Sequence, residues 1–503
     1  MKCKELKQVF NPFLPLNEYI PDGEPHVFGN RVYLFGSHDK EGGETFCMLD
    51  YTVYSAPVTD LTDWKCEGTV YRASQDPAFG NPNPYMYAPD VVQGNDGRYY
   101  LYYAMAGGEF TGPIHVAVCD TPAGQYEYYG CVRNLDGTPY RRYITFDPGV
   151  INDDGKILLY YGWSLGTHRP MNPEGNEEAA NLMKEKLVEV QVQMFGKSRE
   201  EILGEPEGIM GANVVQLADD MLTVISKPVR IMPGQFDASG TSFEGHAFFE
   251  ASSIRKINNM YYFIYSSEKH HELCYATSRY PDKDFTFGGV IISNGDVGYQ
   301  GRDEADRVNT TGNNHGSIEC IDHKWYIFYH RHTHKSLYSR QACAEKIVLE
   351  TDGSIRQVEM TSGGLNGKPL EAVGKYPAVI SCNLTNGNMP HLDNGYSESD
   401  IPYITHDEDD HYITNITEGT VIGYKYFTFL GHLQLGLRIR GSAQGEMKIF
   451  AAEKLCAEIA VDPAAEWHDV KAEINIEGTK ALFLKYSGEG SLDLESFNFD
   501  YNF

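Results

Sequence analysis

Three acidic residues stand at matching positions ahead of tyrosine-rich segments. Asp22 lies in Ile20-Pro-Asp-Gly-Glu-Pro-His-Val-Phe, Asp90 in Met86-Tyr-Ala-Pro-Asp-Val-Val and Glu250 in His246-Ala-Phe-Phe-Glu-Ala-Ser-Ser. Each precedes the third residue of its segment by ten to twelve positions. Carboxyls at equivalent points of different repeats converge on one pocket, and a protonated and an ionised carboxyl together can do acid–base work on a neutral, hydroxyl-rich ligand. Asp147, in Phe146-Asp-Pro-Gly-Val-Ile, shares the offset. Four equivalent carboxyls cannot all be acid or base, so a structural or substrate-orienting role is expected for it. Aspartate in Pro-Asp-Gly or Asp-Pro is also a common turn former, so the residues alone leave both chemistry and turn formation open.

The segments that position these acids repeat five times. They are Arg31-Val-Tyr-Leu-Phe-Gly-Ser, Arg98-Tyr-Tyr-Leu-Tyr-Tyr-Ala, Lys156-Ile-Leu-Leu-Tyr-Tyr-Gly, Met260-Tyr-Tyr-Phe-Ile-Tyr-Ser and Lys324-Trp-Tyr-Ile-Phe-Tyr-His, at intervals of 67, 58, 104 and 64 residues. A tight-turn signal precedes each: Gly29-Asn30, Asp96-Gly97, Asp154-Gly155, Asn258-Asn259 and Asp322-His323. Roughly 60 residues of turn-punctuated strands make one four-stranded blade, and blades that cannot bury their faces alone close into a ring. The long third interval predicts a helical insertion over about 165–208, where Met183, Leu187, Val190 and Met194 recur at helical spacing.

The expected fold is all-β. It comprises a five-bladed β-propeller over 1–360, a Gly/Pro/Asn-rich linker over 361–384 and a jelly-roll-like β-sandwich over 385–503, whose strands recur mostly at about 10–13 residues. Thirty-five Tyr, 24 Phe and 50 Gly suit strands and turns rather than helical bundles. Forty-two basic against 70 acidic residues give a net charge of −28. That field repels phosphate backbones and anionic lipid, so neither nucleic acid nor membrane is an expected partner. The ten scattered cysteines form no C-x-x-C, and the N-terminus lacks an apolar signal core, so free thiols and a cytoplasmic setting are expected.

Residues of about 10–360 resemble glycoside hydrolase family 43. The resemblance rests on Asp22 before the first hairpin, Tyr87-Ala-Pro-Asp90, Asp147-Pro with Asp153-Asp-Gly, Glu250-Ala-Ser, Gly312-Asn-Asn-His-Gly-Ser and Trp325-Tyr-Ile-Phe-Tyr-His330. It implies an inverting hydrolase in which Asp22 is the general base, Glu250 the general acid and Asp90 the carboxylate that raises and orients the acid. Glu24 remains a rival to Asp22 and Glu244 a rival to Glu250. Arg340 resembles a sugar-holding arginine, and Tyr87 and His246 are expected to contact substrate. The matching His315 implies a calcium ion at the propeller axis, with no organic cofactor. His330, His332 and His334 are expected to line the channel. The C-terminal region is similar to a family 6-type carbohydrate-binding β-sandwich.

The substrate class implied is arabinose-decorated xylo-oligosaccharide, with removal of terminal α-L-arabinofuranosyl groups expected first and β-xylosidase action second. A non-catalytic glycan-binding propeller is the remaining alternative.

Overall fold

Each tyrosine-rich segment is the second strand of an antiparallel blade, and the turn before it joins it to the innermost strand. The computed structural model describes residues 7–79, 85–107, 110–164, 185, 188–189, 192, 198–204, 210–393, 395–408 and 410–501. Blade 1 holds Glu24–Phe28, Arg31–Phe35, Tyr51–Pro57 and Lys65–Tyr71. Blade 2 begins at Tyr85–Gln93 and Tyr99–Gly107, blade 3 at Gly149–Asp153 and Lys156–Trp163, and blade 4 at Phe248–Ile257 and Met260–Ser267. Blade 5 has three strands, Ile318–Ile321, Lys324–His332 and Arg340–Ile347. The turns use the chemistry their sequences promise. Asn258 and Asn259 (φ 50° and 61°) and Asp322 and His323 (49° and 62°) are both left-handed, as a tight hairpin matched to strand twist requires.

The apolar runs of the second strands follow from burial on both faces. Along Met260–Ser267, Tyr262 and Ile264 pack toward blade 5, whereas Tyr261, Phe263 and Tyr265 pack toward blade 3. Five such inter-blade cores close the ring, the last joining Val32 and Leu34 of blade 1 to Phe328 and Ala342 of blade 5. The N-terminal segment seals the outer edge of blade 5: the Phe13 N–H donates to Ala342 O (3.2 Å), and the Asn11 amide exchanges hydrogen bonds with Ala344 (3.0 and 3.1 Å).

The insertion lies within blade 3, between Lys156–Trp163 and Gly211–Leu217. Its described residues at 185, 188, 189 and 192 are helical, and a short helix, α1, spans Arg199–Gly204. Met183, Leu187, Val190 and Met194 lie outside the described residues.

The C-terminal domain is an antiparallel sheet around one large core that includes Ile413, Tyr424, Phe427, Leu435, Leu484 and Phe497. Its spine is the pairing of two long strands, Val421–Gly441 and Ala464–Glu489. The segment expected as a linker is woven into this sheet. Leu370–Glu371 pairs in parallel with Phe427 and Thr428, Gly374–Pro377 pairs with Leu492–Asp500, and Asn383–Thr385 pairs with Val421–Gly423. Its Gly, Pro and Asn residues interrupt short strands instead of spacing two bodies apart.

A buried ion bridge ties the two parts together. Lys425 Nζ, on the long strand, lies 3.2 Å from Asp296 and 2.9 Å from Glu359. Removing one partner of a buried cluster strands the others, at about 3–5 kcal/mol, whereas an exposed pair contributes about 0–1 kcal/mol. Urea unfolding of Lys425→Ala should therefore show a loss of about 3–5 kcal/mol. Breaking the exposed Lys368–Glu371 pair by Lys368→Ala should cost less than about 1 kcal/mol.

Candidate active site

The acidic residues sit where the innermost strands depart from regular pairing. Register shifts fall between Tyr87 and Asp90 and on both sides of Glu250. Asp22 (φ 56°), Asp147 (46°) and Ala251 (70°) adopt left-handed backbone. Bulges and left-handed residues re-aim side chains and concentrate at functional sites. Gly149 allows blades 3 and 4 to touch, since a Cβ there would stand 2.5 Å from Ser252 O. That approach brings the Ala251 N–H to Asp147 Oδ2 at 3.0 Å and so sets Asp147 beside Glu250.

Asp22 is held by a buried arginine. Arg340 donates from Nη1 to Asp22 Oδ1 (2.9 Å) and clasps Asp39 with Nε and Nη2 (2.8 and 2.9 Å). The Asp22 N–H donates to His330 Nδ1 (3.3 Å), whose Nε2 faces Asn313 O at 2.9 Å, fixing that tautomer. Burial pushes His330 well below its ordinary value, His315 down to about 4 and His332 to about 3, so this wall is neutral. Its placement agrees with the expected channel wall; His334 instead lies at the outer rim, 3.2 Å from Glu41. Across from Asp22, burial and then the Asp22 charge raise Glu250 to about 8, with Asn313 hydrogen-bonding its carboxyl. Burial, followed by the charges of Glu250 and Asp22, raises Asp147 well above the carboxylate range. The site thus offers an acid, Glu250, that keeps its proton at neutral pH, and a second carboxyl, Asp22, bound to a guanidinium.

The rivals fall away. Glu24 is 3% exposed and is taken by Arg255 (2.8 Å) and Ser253 Oγ (2.8 Å), while Glu244 caps an exposed turn through the Gly240 N–H (3.1 Å). Asp90 has a different situation from the one expected of it. It accepts from His26 Nε2 (2.7 Å) and from the N–H groups of Val91 (2.7 Å) and Val150 (2.6 Å), bracing blades 1, 2 and 3. These bonds use three of its acceptor sites, and the carboxyl tied to the Glu250 segment is Asp147.

Tyr87 reaches the site, packing on Phe146 (5.6 Å) near Arg340 and Asp39. His246 does not join this group: its Nδ1–H donates to Glu272 (2.6 Å) and its ring stacks on Phe287 (4.6 Å). His315 Nδ1 lies 3.6 Å from Asp147 and 3.9 Å from Asp22. Sequence reasoning missed Asp39 and Asn313, which act only through their partners. Asp39 follows the first Tyr-rich strand in Ser37-His-Asp, and Asn313 precedes His315 in a motif read for its histidine.

Residues 11–201 match the sequence model described as Glycosyl hydrolases family 43. The chain is 43% identical over 507 aligned residues, 98% of each chain, to a xylosidase/arabinosidase of Thermoclostridium stercorarium. It is 30% identical to a xylosidase/arabinosidase of Bacteroides ovatus over 63% of this chain and 87% of that one. Its fold is similar to that of a family 43 enzyme of Xanthomonas citri solved with xylose, at TM-score 0.50 and 24% identity, covering 69% of this chain and 92% of that one.

The contrast between Asp147 and Asp90 is measurable. The Glu250 charge raises Asp147, so the two carboxyls titrate as a pair, and Asp147→Asn should displace the apparent pKa of Glu250, followed by carboxyl ¹³C NMR, from about 8. Asp90→Asn should leave that titration in place and instead lower the melting temperature. A Glu250 shift confined to Asp90→Asn would return the tuning role to Asp90.

Proposed function

This chain belongs to glycosyl hydrolases family 43, and from that premise we propose an exo-acting hydrolase that removes terminal α-L-arabinofuranosyl and β-D-xylopyranosyl groups from short xylo-oligosaccharides. The carrying observation is the gathering of Asp22, fixed by Arg340, with Asp147 and a Glu250 raised by burial and the Asp22 charge. A non-catalytic propeller would not need that gathering. The relatives named xylosidase/arabinosidase support one pocket for both pentoses, joining the two substrate expectations.

In the proposed reaction Asp22 takes a proton from water as the water attacks the anomeric carbon. Glu250 delivers its proton to the glycosidic oxygen as that bond breaks, and the anomeric configuration inverts. Such a displacement needs the two carboxyls about 6.5–9.5 Å apart to admit the water. Asp147 is the carboxyl proposed to keep Glu250 protonated, in place of Asp90. Arg340 orients the base, and Tyr87 is a wall for the sugar.

The resemblance also implies calcium. A lone imidazole is a poor ligand for a hard cation that takes oxygen, so the fit at His315 rests on the resemblance and on the carboxyl oxygens of Asp147 and Asp22, 3.6 and 3.9 Å from its Nδ1. When bound, the ion would supply positive charge between those carboxylates. For the C-terminal domain, a family 6-type sugar-binding likeness is weakened by Trp467, whose ring is covered by Arg440 (4.4 Å) and abutted by Tyr412 (5.4 Å). A role in walling the substrate is proposed instead. The nine described cysteines are free, which supports a reducing, cytoplasmic setting.

The purified protein should hydrolyse both 4-nitrophenyl α-L-arabinofuranoside and 4-nitrophenyl β-D-xylopyranoside, and ¹H NMR should show α-xylose as the first product of the xyloside. Activity should decline as pH rises through about 8, where Glu250 loses its proton. Glu250→Gln should lower kcat/KM on xylobiose by about 10²–10⁴, and by less on the aryl xyloside, whose leaving group needs less protonation. Equal losses on the two substrates would remove Glu250 as the acid, and inertness of the unaltered protein on both would remove the hydrolase reading.

A further inference from the structure

A cavity opens where the C-terminal domain meets the end of the propeller that carries Glu41 and His334. Its volume is about 610 Å³, within the range of about 300–1,000 Å³ typical of small-ligand sites. The propeller contributes Glu41, His334 and Ser339, and the C-terminal domain contributes Tyr396, Tyr403 and His406. The wall is built rather than accidental. Glu41 is held between the two domains, with one oxygen 3.2 Å from His334 Nε2 and the other 2.9 Å from His406 Nε2. Backbone bonds from Leu337 N–H to Gly395 O (2.9 Å) and from Ser397 N–H to Lys335 O (2.8 Å) stitch the Tyr396 segment to blade 5.

A chain of ring contacts runs from the cavity wall to the arginine that holds Asp22. The Arg340 guanidinium, which holds Asp22, lies over Phe46 at 4.7 Å. Phe46 meets Tyr338 edge-on at 4.8 Å, and Tyr338 meets Tyr396 at 6.4 Å. Tyr396 is 52% exposed, although its hydroxyl is anchored on Gly43 O (3.2 Å), so one ring is presented to solvent in a fixed orientation. Fixed aromatic faces flanked by a carboxylate, imidazoles and hydroxyls suit a neutral polyhydroxyl ring, whose C–H face packs on the aromatic and whose O–H groups find oriented acceptors. An anionic ligand would find one cation, Lys335, over the Tyr403 ring (5.5 Å), but would meet Glu41 and a chain of net charge −28.

Resting on the reading above, we infer that this interdomain cavity is a subsite for the pentose units of the leaving chain, with Tyr396 as its stacking platform. The terminal pentose then lies between Asp22 and Glu250, and the following units run along Phe46 and Tyr338 toward the C-terminal domain. That domain thereby completes the binding site for an oligosaccharide and not for a small aryl glycoside.

The test compares kcat/KM on xylotetraose with kcat/KM on 4-nitrophenyl β-D-xylopyranoside. In Tyr396→Ala the ratio of the two should fall about tenfold, chiefly through KM for xylotetraose. Tyr396→Phe, which keeps the ring and loses the hydroxyl, should preserve most of the ratio. Melting temperatures establish that each variant is folded, and a folded His406→Ala should lower the same ratio by releasing one arm of Glu41. If the unaltered protein cleaves both substrates but the ratio is unmoved in folded Tyr396→Ala, or both substrates suffer equally, the subsite is overturned and the hydrolase reading stands. If the unaltered protein cleaves neither, the reading and the subsite fall together.

Discussion

Arg340 is the cation on which the catalytic end of the channel depends. Its guanidinium is almost wholly buried and spends its fork on Asp39 and one further donor on Asp22. An arginine suits this place because its planar donors match one carboxylate in two-point fashion while leaving another N–H for a second. Take it away and Asp22, Asp39, Asp147 and Glu250 would crowd one low-dielectric space with no opposing charge. Because the cation reaches Asp22 directly and Asp147 is met instead by a backbone N–H, the four acids are not equivalent. That asymmetry distinguishes Asp22 from Asp147 and Glu250, although all three stand at the same point of their repeats.

A second cation works further along the channel. Arg255 meets Glu24 and donates to Pro25 O, while Ser253 bridges Glu24 to Ser317. Together with Asp90 and its three donors, these contacts link all five innermost strands by polar bonds at the axis. The apolar cores lie between the blades, so the axis itself is left to hydrogen bonds and ion pairs. Low-dielectric surroundings strengthen these bonds, although the Arg255 Nε is left without a hydrogen bond. A stiff axis keeps carboxyls from separate blades at a fixed separation, which a displacement by water demands.

Much of this was legible in the sequence because its signals are local. Asp154-Gly155 and Asn258-Asn259 mark turns whose left-handed backbone those residues tolerate, and two-sided burial writes itself as unbroken runs such as Tyr-Tyr-Phe-Ile-Tyr. Five copies of that pattern give the ring, and the offset of Asp22 and Glu250 within it gives the pocket. The division of labour between Asp90 and Asp147 was not legible, since both share the offset and only the bulge after Tyr87 and the contact of Gly149 with Ser252 separate them. Asp39 was hidden for a related reason: its importance lies in an arginine 301 residues away. The weaving of 361–384 into the second sheet was masked by its glycines and prolines, which read as a tether when no partner strand is in view.

The same weaving bears on what the second domain is for. A carbohydrate-binding module on a flexible tether acts by raising local concentration, and its own platform must be open. Here the connecting segment pairs with the long strand Val421–Gly441 and with Leu492–Asp500, Lys425 is buried between Asp296 and Glu359, and Trp467 lies under Arg440. The domain is therefore fixed against the propeller, with its one tryptophan turned to packing. What it presents toward the catalytic end is the Tyr396 segment, held by blade 5 backbone and facing the loop that carries Asp39 and Glu41. Rigid attachment at that place gives the second domain influence over which chain can follow a terminal sugar into the channel, through the shape of the entrance and not through added affinity at a distance.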